Sequence, residues 1–277
     1  MILVTIAAAY LVSEGVVFGA DSSTTVSVRT PGGGSGVLQL LNHAQKVFEV
    51  GDNSRLGVCT WGAGSIGDVS HRTVIARLSD ELTEDTSIQD AAQILANLVE
   101  PLAKSAQLAF VGYYLGGWNP KTHEPSCFKI EITTNGKKID PIPLGLCSFS
   151  GMPNFFTRVF RGFDPELPKV LREEIKRRLP QTNATPSFDK IFEEAFEIAA
   201  SPLVAAGFKD LPIREAIDFV YTYLHITIKA TKFKFGAPAC GGPIEIGFIT
   251  TDRHFRWVRH KSFASAILEE EAEYNVE

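Results

Sequence analysis

Three residues of the first fifty carry groups that could do chemistry together. Thr5 stands at the front of an apolar stretch, residues 4 to 12, that reads as a buried strand. Asp21 ends the next apolar run, Val16 to Ala20, and Lys46 opens a third, Lys46 to Val50. They supply a hydroxyl, a carboxylate and an ammonium. A hydroxyl becomes a useful nucleophile only when a base takes its proton. Gly62 adds a fourth component. It lies in Trp61-Gly62-Ala63-Gly64-Ser65, a Gly-rich turn expected at a helix start, where a backbone N–H can face an oxyanion. Taken singly, each residue has an ordinary structural use. Asp21 can cap a hairpin, and Lys46 can guard a strand edge.

Other chemistry-bearing residues form weaker patterns. Cys59, Cys127, Cys147 and Cys240 are scattered, with no C-x-x-C pair, so no zinc site is expected. Their apolar or Gly-rich surroundings suit buried thiols in a reducing compartment. His43, His71, His123, His225, His254 and His260 show no ligand spacing and read as surface or satisfied core histidines. The loop Pro31-Gly32-Gly33-Gly34-Ser35-Gly36 lacks the Lys-Ser/Thr ending of a phosphate-binding loop.

The elements that would position these groups follow from periodicity. Ser13-Glu14-Gly15 turns the first two strands into a hairpin, and Gly51-Asp52-Asn53-Ser54 turns Lys46–Val50 into Arg55–Thr60. Val69, Val74, Ile75 and Leu78 give the following helix an apolar stripe. A second helix, about Ile88 to Ser105, carries Ala91, Ile94, Leu95, Leu98 and Leu102 at helical spacing. Ala109 to Leu115 returns to a strand, with Gly116-Gly117-Trp118-Asn119-Pro120 as its turn. Cys127 to Thr133 and Ile139 to Leu146 follow, with Asn135-Gly136 as the hairpin signal. Helices broken by prolines fill about 153 to 230, where Phe155, Phe156 and Phe160 read as helix packing. Strands Ile244 to Thr250 and Phe255 to Val258 follow, and the acidic tail from Ala264 reads as helical. Strands clustered as hairpins argue for antiparallel sheets. The expected fold is α+β: two antiparallel sheets face to face with helices outside both, a four-layer αββα sandwich. One domain is expected over residues 1–277.

The order of short motifs carries a resemblance. Thr5-Ile-Ala-Ala-Ala-Tyr-Leu-Val-Ser-Glu-Gly15-Val-Val-Phe-Gly-Ala-Asp21-Ser resembles the opening of proteasome β-type subunits and their bacterial relatives. Lys46-Val-Phe-Glu-Val resembles their Lys strand, and Gly57 to Gly64 their Gly-rich turn. Phe110 to Trp118 is similar to their central Gly-Gly strand, and Ser150-Gly151-Met152-Pro153 to their Ser-Gly-x-Pro turn. Ala230-Thr231 and Cys240-Gly241-Gly242 are similar to their closing Ala-Thr and Ser-Gly-Gly. The exception is a helical expansion at about 163–211. The resemblance implies an N-terminal-nucleophile (Ntn) hydrolase in which Thr5 is the nucleophile and Lys46 its electrostatic partner. Asp21 orients the Lys, the Gly62 N–H is the oxyanion donor, and Ser150 is a supporting hydroxyl. Cys240 and Gly241 fall at further supporting positions. The base would be the α-amine of a Thr that is itself the first residue, a group of pKa ~7.7–8.0.

Two departures stand against this. The supporting Asp of the pattern falls on Ala237, and Met1-Ile2-Leu3-Val4 precede Thr5, so its nitrogen is a peptide nitrogen. One account is that Val4 is encoded by a GUG start codon, so that removal of the initiator Met exposes Thr5. The expected function is threonine-type cleavage of amide, chiefly peptide, bonds without metal or organic cofactor, in a homo-oligomeric ring open to a regulatory ATPase. Two alternatives stand beside it: a catalytically inactive scaffold subunit, and an Ntn amidohydrolase of small amides. The 277 residues are 44% hydrophobic and 21% charged, with net charge -5 and no basic face. A nucleic-acid partner is not expected. The apolar start has no basic n-region, and no run approaches the eighteen apolar residues of a membrane span, so a cytoplasmic protein is expected.

Overall fold

The computed structural model describes residues 5–29, 35–51, 55–119, 121–152, 154–164, 166–178, 188–199, 208–233 and 240–261. The expected fold is observed: among the described residues all strand pairs are antiparallel, in two five-stranded sheets and one two-stranded hairpin. The first sheet has the order β10-β1-β2-β11-β12. Its strands are β1 (Ala7–Val12), β2 (Gly15–Ala20), β10 (Cys147–Ser150), β11 (Glu245–Thr250) and β12 (Arg253–Arg259). The second runs β5-β6-β7-β8-β9, from β5 (Val47–Val50) and β6 (Leu56–Gly62) through β7 (Val111–Trp118) and β8 (Pro125–Thr133) to β9 (Gly136–Pro141).

Alternation along the strands builds three apolar cores, one for each contact between four layers. In the first sheet Ile6, Ala8, Tyr10 and Val12 face outward. They meet Phe156 and Phe160 of α3 (Asn154–Arg161) and Ala216, Val220, Tyr223 and Leu224 of α6 (Ile213–Lys232). Ala7, Ala9 and Leu11 face inward, with Phe18 and Ala20. There they meet Cys59, Trp61, Tyr114 and Cys127 of the second sheet. On its other face, Leu56, Val58, Tyr113, Leu115 and Ile130 pack under α1 (His71–Glu81) and α2 (Ile88–Ser105). Both helices start at a serine: the Ser70 side chain accepts from the Thr73 N–H, and the Ser87 side chain from the Asp90 N–H.

Several local expectations are corrected. Gly116 and Gly117 do not turn the chain; they lie inside β7. A Cβ on Gly117 would stand 2.0 Å from the Arg55 carbonyl oxygen, so glycine there permits close strand approach. The strand expected over Ile139–Leu146 ends at Pro141, because prolines at 141 and 143 cannot donate to a ladder. Ser35 and Gly36 belong to β4 (Ser35–Leu41), which pairs with β3 (Thr24–Arg29), rather than to a loop. The expected helices include α4 (Leu167–Arg178) and α5 (Phe188–Ala199), joined by ion pairs from Arg172 to Glu193 and Lys176 to Asp189. Ala237 and the tail from Ala264 lie outside the described residues.

Candidate active site

The β1–β2 hairpin fixes Thr5 beside Asp21. Beyond the Ala7–Ala20 pair, the Asp21 N–H donates to the Ile6 carbonyl (3.2 Å), and the Ile6 N–H donates back to Asp21 Oδ1 (3.1 Å). Thr5 is the next residue out. Lys46 arrives from the other sheet, its carbonyl accepting from the Thr60 N–H at 2.9 Å. Lys46 Nζ then donates to Thr5 Oγ1 (3.2 Å), Asp21 Oδ1 (2.6 Å) and the Ser23 carbonyl (2.5 Å). An ammonium has three hydrogens, and these three acceptors use them all. The Asp21 carboxylate is also fully engaged: Oδ2 accepts from the Ser23 N–H (3.2 Å) and the Gly241 N–H (2.9 Å). Asp21 is 0% exposed, Thr5 4% and Lys46 6%, so the group sits in a low-dielectric interior. An ammonium held against a hydroxyl oxygen there favours the alkoxide over the alcohol.

A cavity of about 20 Å³ adjoins Thr5, lined by Thr24, Lys46, Thr60, Trp61, Ala63 and His71 among others. That is room for about one water molecule. Gly62 lies between two of the lining residues. It ends β6 with φ +93°, whereas α1 starts only at His71, so the expectation that Gly62 sits at a helix start is corrected.

The remaining predicted residues are close in register but differently engaged. Ser150 ends β10 opposite Ala7, and its hydroxyl bonds Tyr114 OH at 2.6 Å. A Cβ on Gly151 would stand 1.7 Å from the Thr5 carbonyl oxygen, and Gly151 has φ +93°. Only glycine fits where this turn passes Thr5. Gly241 joins the site through its N–H to Asp21. The buried Cys240 thiol instead meets Thr231 Oγ1 at 3.1 Å, and burial pushes its pKa up to about 11. His71 is a satisfied core histidine: Nε2 bonds the Ala63 carbonyl (2.8 Å) and Nδ1 the Tyr113 hydroxyl (2.9 Å). Burial lowers its pKa. Among the described residues, no group of three or more His, Cys, Asp or Glu could hold a metal ion. No helix there is long and apolar enough to cross a membrane.

Glu245 escaped sequence reasoning. This fully buried carboxylate accepts the Lys46 backbone N–H on Oε2 at 3.1 Å, while Oε1 lies 3.4 Å from Lys261 Nζ and 3.5 Å from His260 Nδ1. Lys261 Nζ also donates to the Ala44 carbonyl. Glu245 thus ties β11 to the segment that presents Lys46. The signal available was one acidic residue inside the apolar run Ile244-Glu245-Ile246-Gly247-Phe248.

Two antiparallel sheets packed face to face between helices make the chain an αββα sandwich. Among solved structures, the chain is similar to the Anbu (Gly-1) mutant from Hyphomicrobium sp. strain MC1. The identity is 14% and the TM-score 0.54, over 99% of this chain and 98% of that one. At that identity the likeness is one of fold. No protein-family model and no curated protein matches the sequence.

Proposed function

We propose that this chain is a threonine-type Ntn hydrolase that cleaves amide bonds, chiefly in peptides, once Thr5 is the first residue. The observation that carries this reading is the buried Thr5–Lys46–Asp21 group, with Nζ 3.2 Å from Oγ1 and 2.6 Å from Oδ1. In this reading Thr5 Oγ1 attacks the substrate carbonyl and its own α-amine takes the proton. Lys46 stabilises the alkoxide and Asp21 holds Lys46. The backbone N–H at Gly62 receives the oxyanion, and Ser150, Cys240 and Gly241 support the arrangement. A homo-oligomeric ring, served by a regulatory ATPase, follows from the resemblance of the sequence to proteasome β-type subunits. The four free, buried thiols suit a reducing compartment such as the cytoplasm.

A second reading, a scaffold subunit without activity, is favoured by the small cavity beside Thr5. The test is to prepare the chain beginning at Thr5 and the chain beginning at Met1. Both are incubated with an epoxyketone probe, and the N-terminal peptide is weighed by mass spectrometry. The enzyme reading expects an adduct on Thr5 in the first chain only, lost in Lys46→Met. No adduct on a folded chain beginning at Thr5 establishes the scaffold. If the adduct forms, a panel of peptide and small-amide substrates separates peptidase from amidohydrolase.

A further inference from the structure

The segment Ala44-Gln45-Lys46 lines the cavity beside Thr5. It lies between β4 and β5 and belongs to neither strand, so most of its backbone groups must find partners outside a ladder. Two charged side chains from the far end of the chain supply them. The Ala44 carbonyl accepts from Lys261 Nζ, and the Lys46 N–H donates to Glu245 Oε2 at 3.1 Å. Lys261 Nζ and Glu245 Oε1 then face each other at 3.4 Å, which closes a bridge over the segment from one end to the other. Glu245 is 0% exposed and the Lys261 side chain 10%. Glu245 Oε1 accepts no hydrogen bond, so Lys261 and His260 meet it through charge alone. Attraction without good hydrogen-bond geometry repays little of what it costs to desolvate two ions, and net stability is a poor account of such a pair. What the pair does fix is the position of the backbone it spans.

We infer that Glu245 and Lys261 are positioning residues of the active site: they clamp the segment 44–46 at both ends and so set where Lys46 Nζ meets Thr5 Oγ1. This rests on the reading of the chain as a threonine-type Ntn hydrolase. Asp21 holds Lys46 by its ammonium, and the Glu245–Lys261 pair holds it by its backbone. The Nζ–Oγ1 contact is 3.2 Å, at the long end of hydrogen-bond distance, so a small backbone shift is enough to break it. Misplacing a catalytic group by about 1 Å can cost roughly 100-fold in rate.

The test uses the chain beginning at Thr5 and an epoxyketone probe. It reads the maximal rate of Thr5 labelling at saturating probe separately from the probe concentration that gives half that rate. Each variant is first shown to be folded by circular dichroism, and its urea midpoint is measured. Lys261→Met and Glu245→Leu are expected to lower the maximal rate roughly tenfold or more, with the loss carried by the rate rather than by half-saturation. Glu245→Gln keeps an acceptor for the Lys46 N–H, so it is expected to retain more of the rate than Glu245→Leu. The double variant Glu245→Gln, Lys261→Met removes both charges together and keeps the test intact if a single variant fails to fold. A merely structural pair would lower the urea midpoint and leave the maximal rate of the folded protein unchanged. That result overturns the inference, as does a Glu245→Gln protein as slow as Glu245→Leu. A labelled parent with unslowed variants sinks this inference alone, whereas a folded parent that is never labelled sinks the hydrolase reading and this inference with it.

Discussion

Replacing Asp21 by Asn tests whether the buried Lys46–Asp21 pair is the keystone of the site. The carboxylate accepts four bonds: from Lys46 Nζ and the Ile6 N–H on Oδ1, and from the Ser23 and Gly241 N–H groups on Oδ2. Asparagine has one acceptor oxygen. If it faces Lys46, its NH₂ meets two backbone donors; if it turns round, it meets an ammonium. Either way a cation at 6% exposure loses its counter-charge. Removing one partner of a buried pair typically costs about 3–5 kcal/mol. That is a large part of the roughly 5–15 kcal/mol by which folded domains are stable.

The assay is equilibrium unfolding in urea for Asp21→Asn, Lys46→Met and the double variant. Lys46→Met is expected to cost less than Asp21→Asn, because Asp21 keeps three N–H donors when the ammonium goes. The double variant is expected to lose less than the sum of the singles by about 1–3 kcal/mol, since no orphaned charge remains. An Asp21→Asn protein within about 1 kcal/mol of the parent, or strictly additive losses, would refute the account.

Three further outcomes are expected. Gly151→Ala forces a side chain onto a φ of +93° and into the Thr5 carbonyl; it should lower stability by at least about 1–3 kcal/mol in urea, and an unchanged midpoint would contradict the close approach. The four buried thiols, with Cys240 raised to about 11, should resist iodoacetamide at pH 8 in the native protein and react in urea; rapid native alkylation would contradict their burial. His71 adds an acid dependence. Its unfolded form takes a proton near pH ~6.5 while burial holds the folded form neutral, so the unfolded state binds more protons below that pH and stability falls as pH drops. The slope of unfolding free energy between pH 7 and 5 should be shallower in His71→Gln, and parallel slopes would refute this.

How much was legible depended on how local each signal is. The hairpin Ala7–Ala20 and helix α2 were readable because their apolar periods repeat within a few residues. Thr5, Asp21 and Lys46 stood out because each falls at the edge of such a run. Strand β10 was missed because four residues carry too little period, and its partner β1 lies far away in the chain. The Gly117 reading failed because a glycine making room for the Arg55 carbonyl looks, in sequence, like one making a turn. Glu245 was invisible for the same reason: its partner is the Lys46 N–H, 199 residues away.

The site also separates position from activity. Thr5 is held through its neighbour: the Ile6 N–H and carbonyl both bond Asp21, which in turn grips Lys46. Exposing the Thr5 nitrogen as an amine would add the base while leaving the Ile6–Asp21 and Asp21–Lys46 bonds in place. On this argument the chains beginning at Met1 and at Thr5 share one scaffold. The Asp21→Asn penalty should then be nearly the same in both, while labelling of Thr5 differs between them.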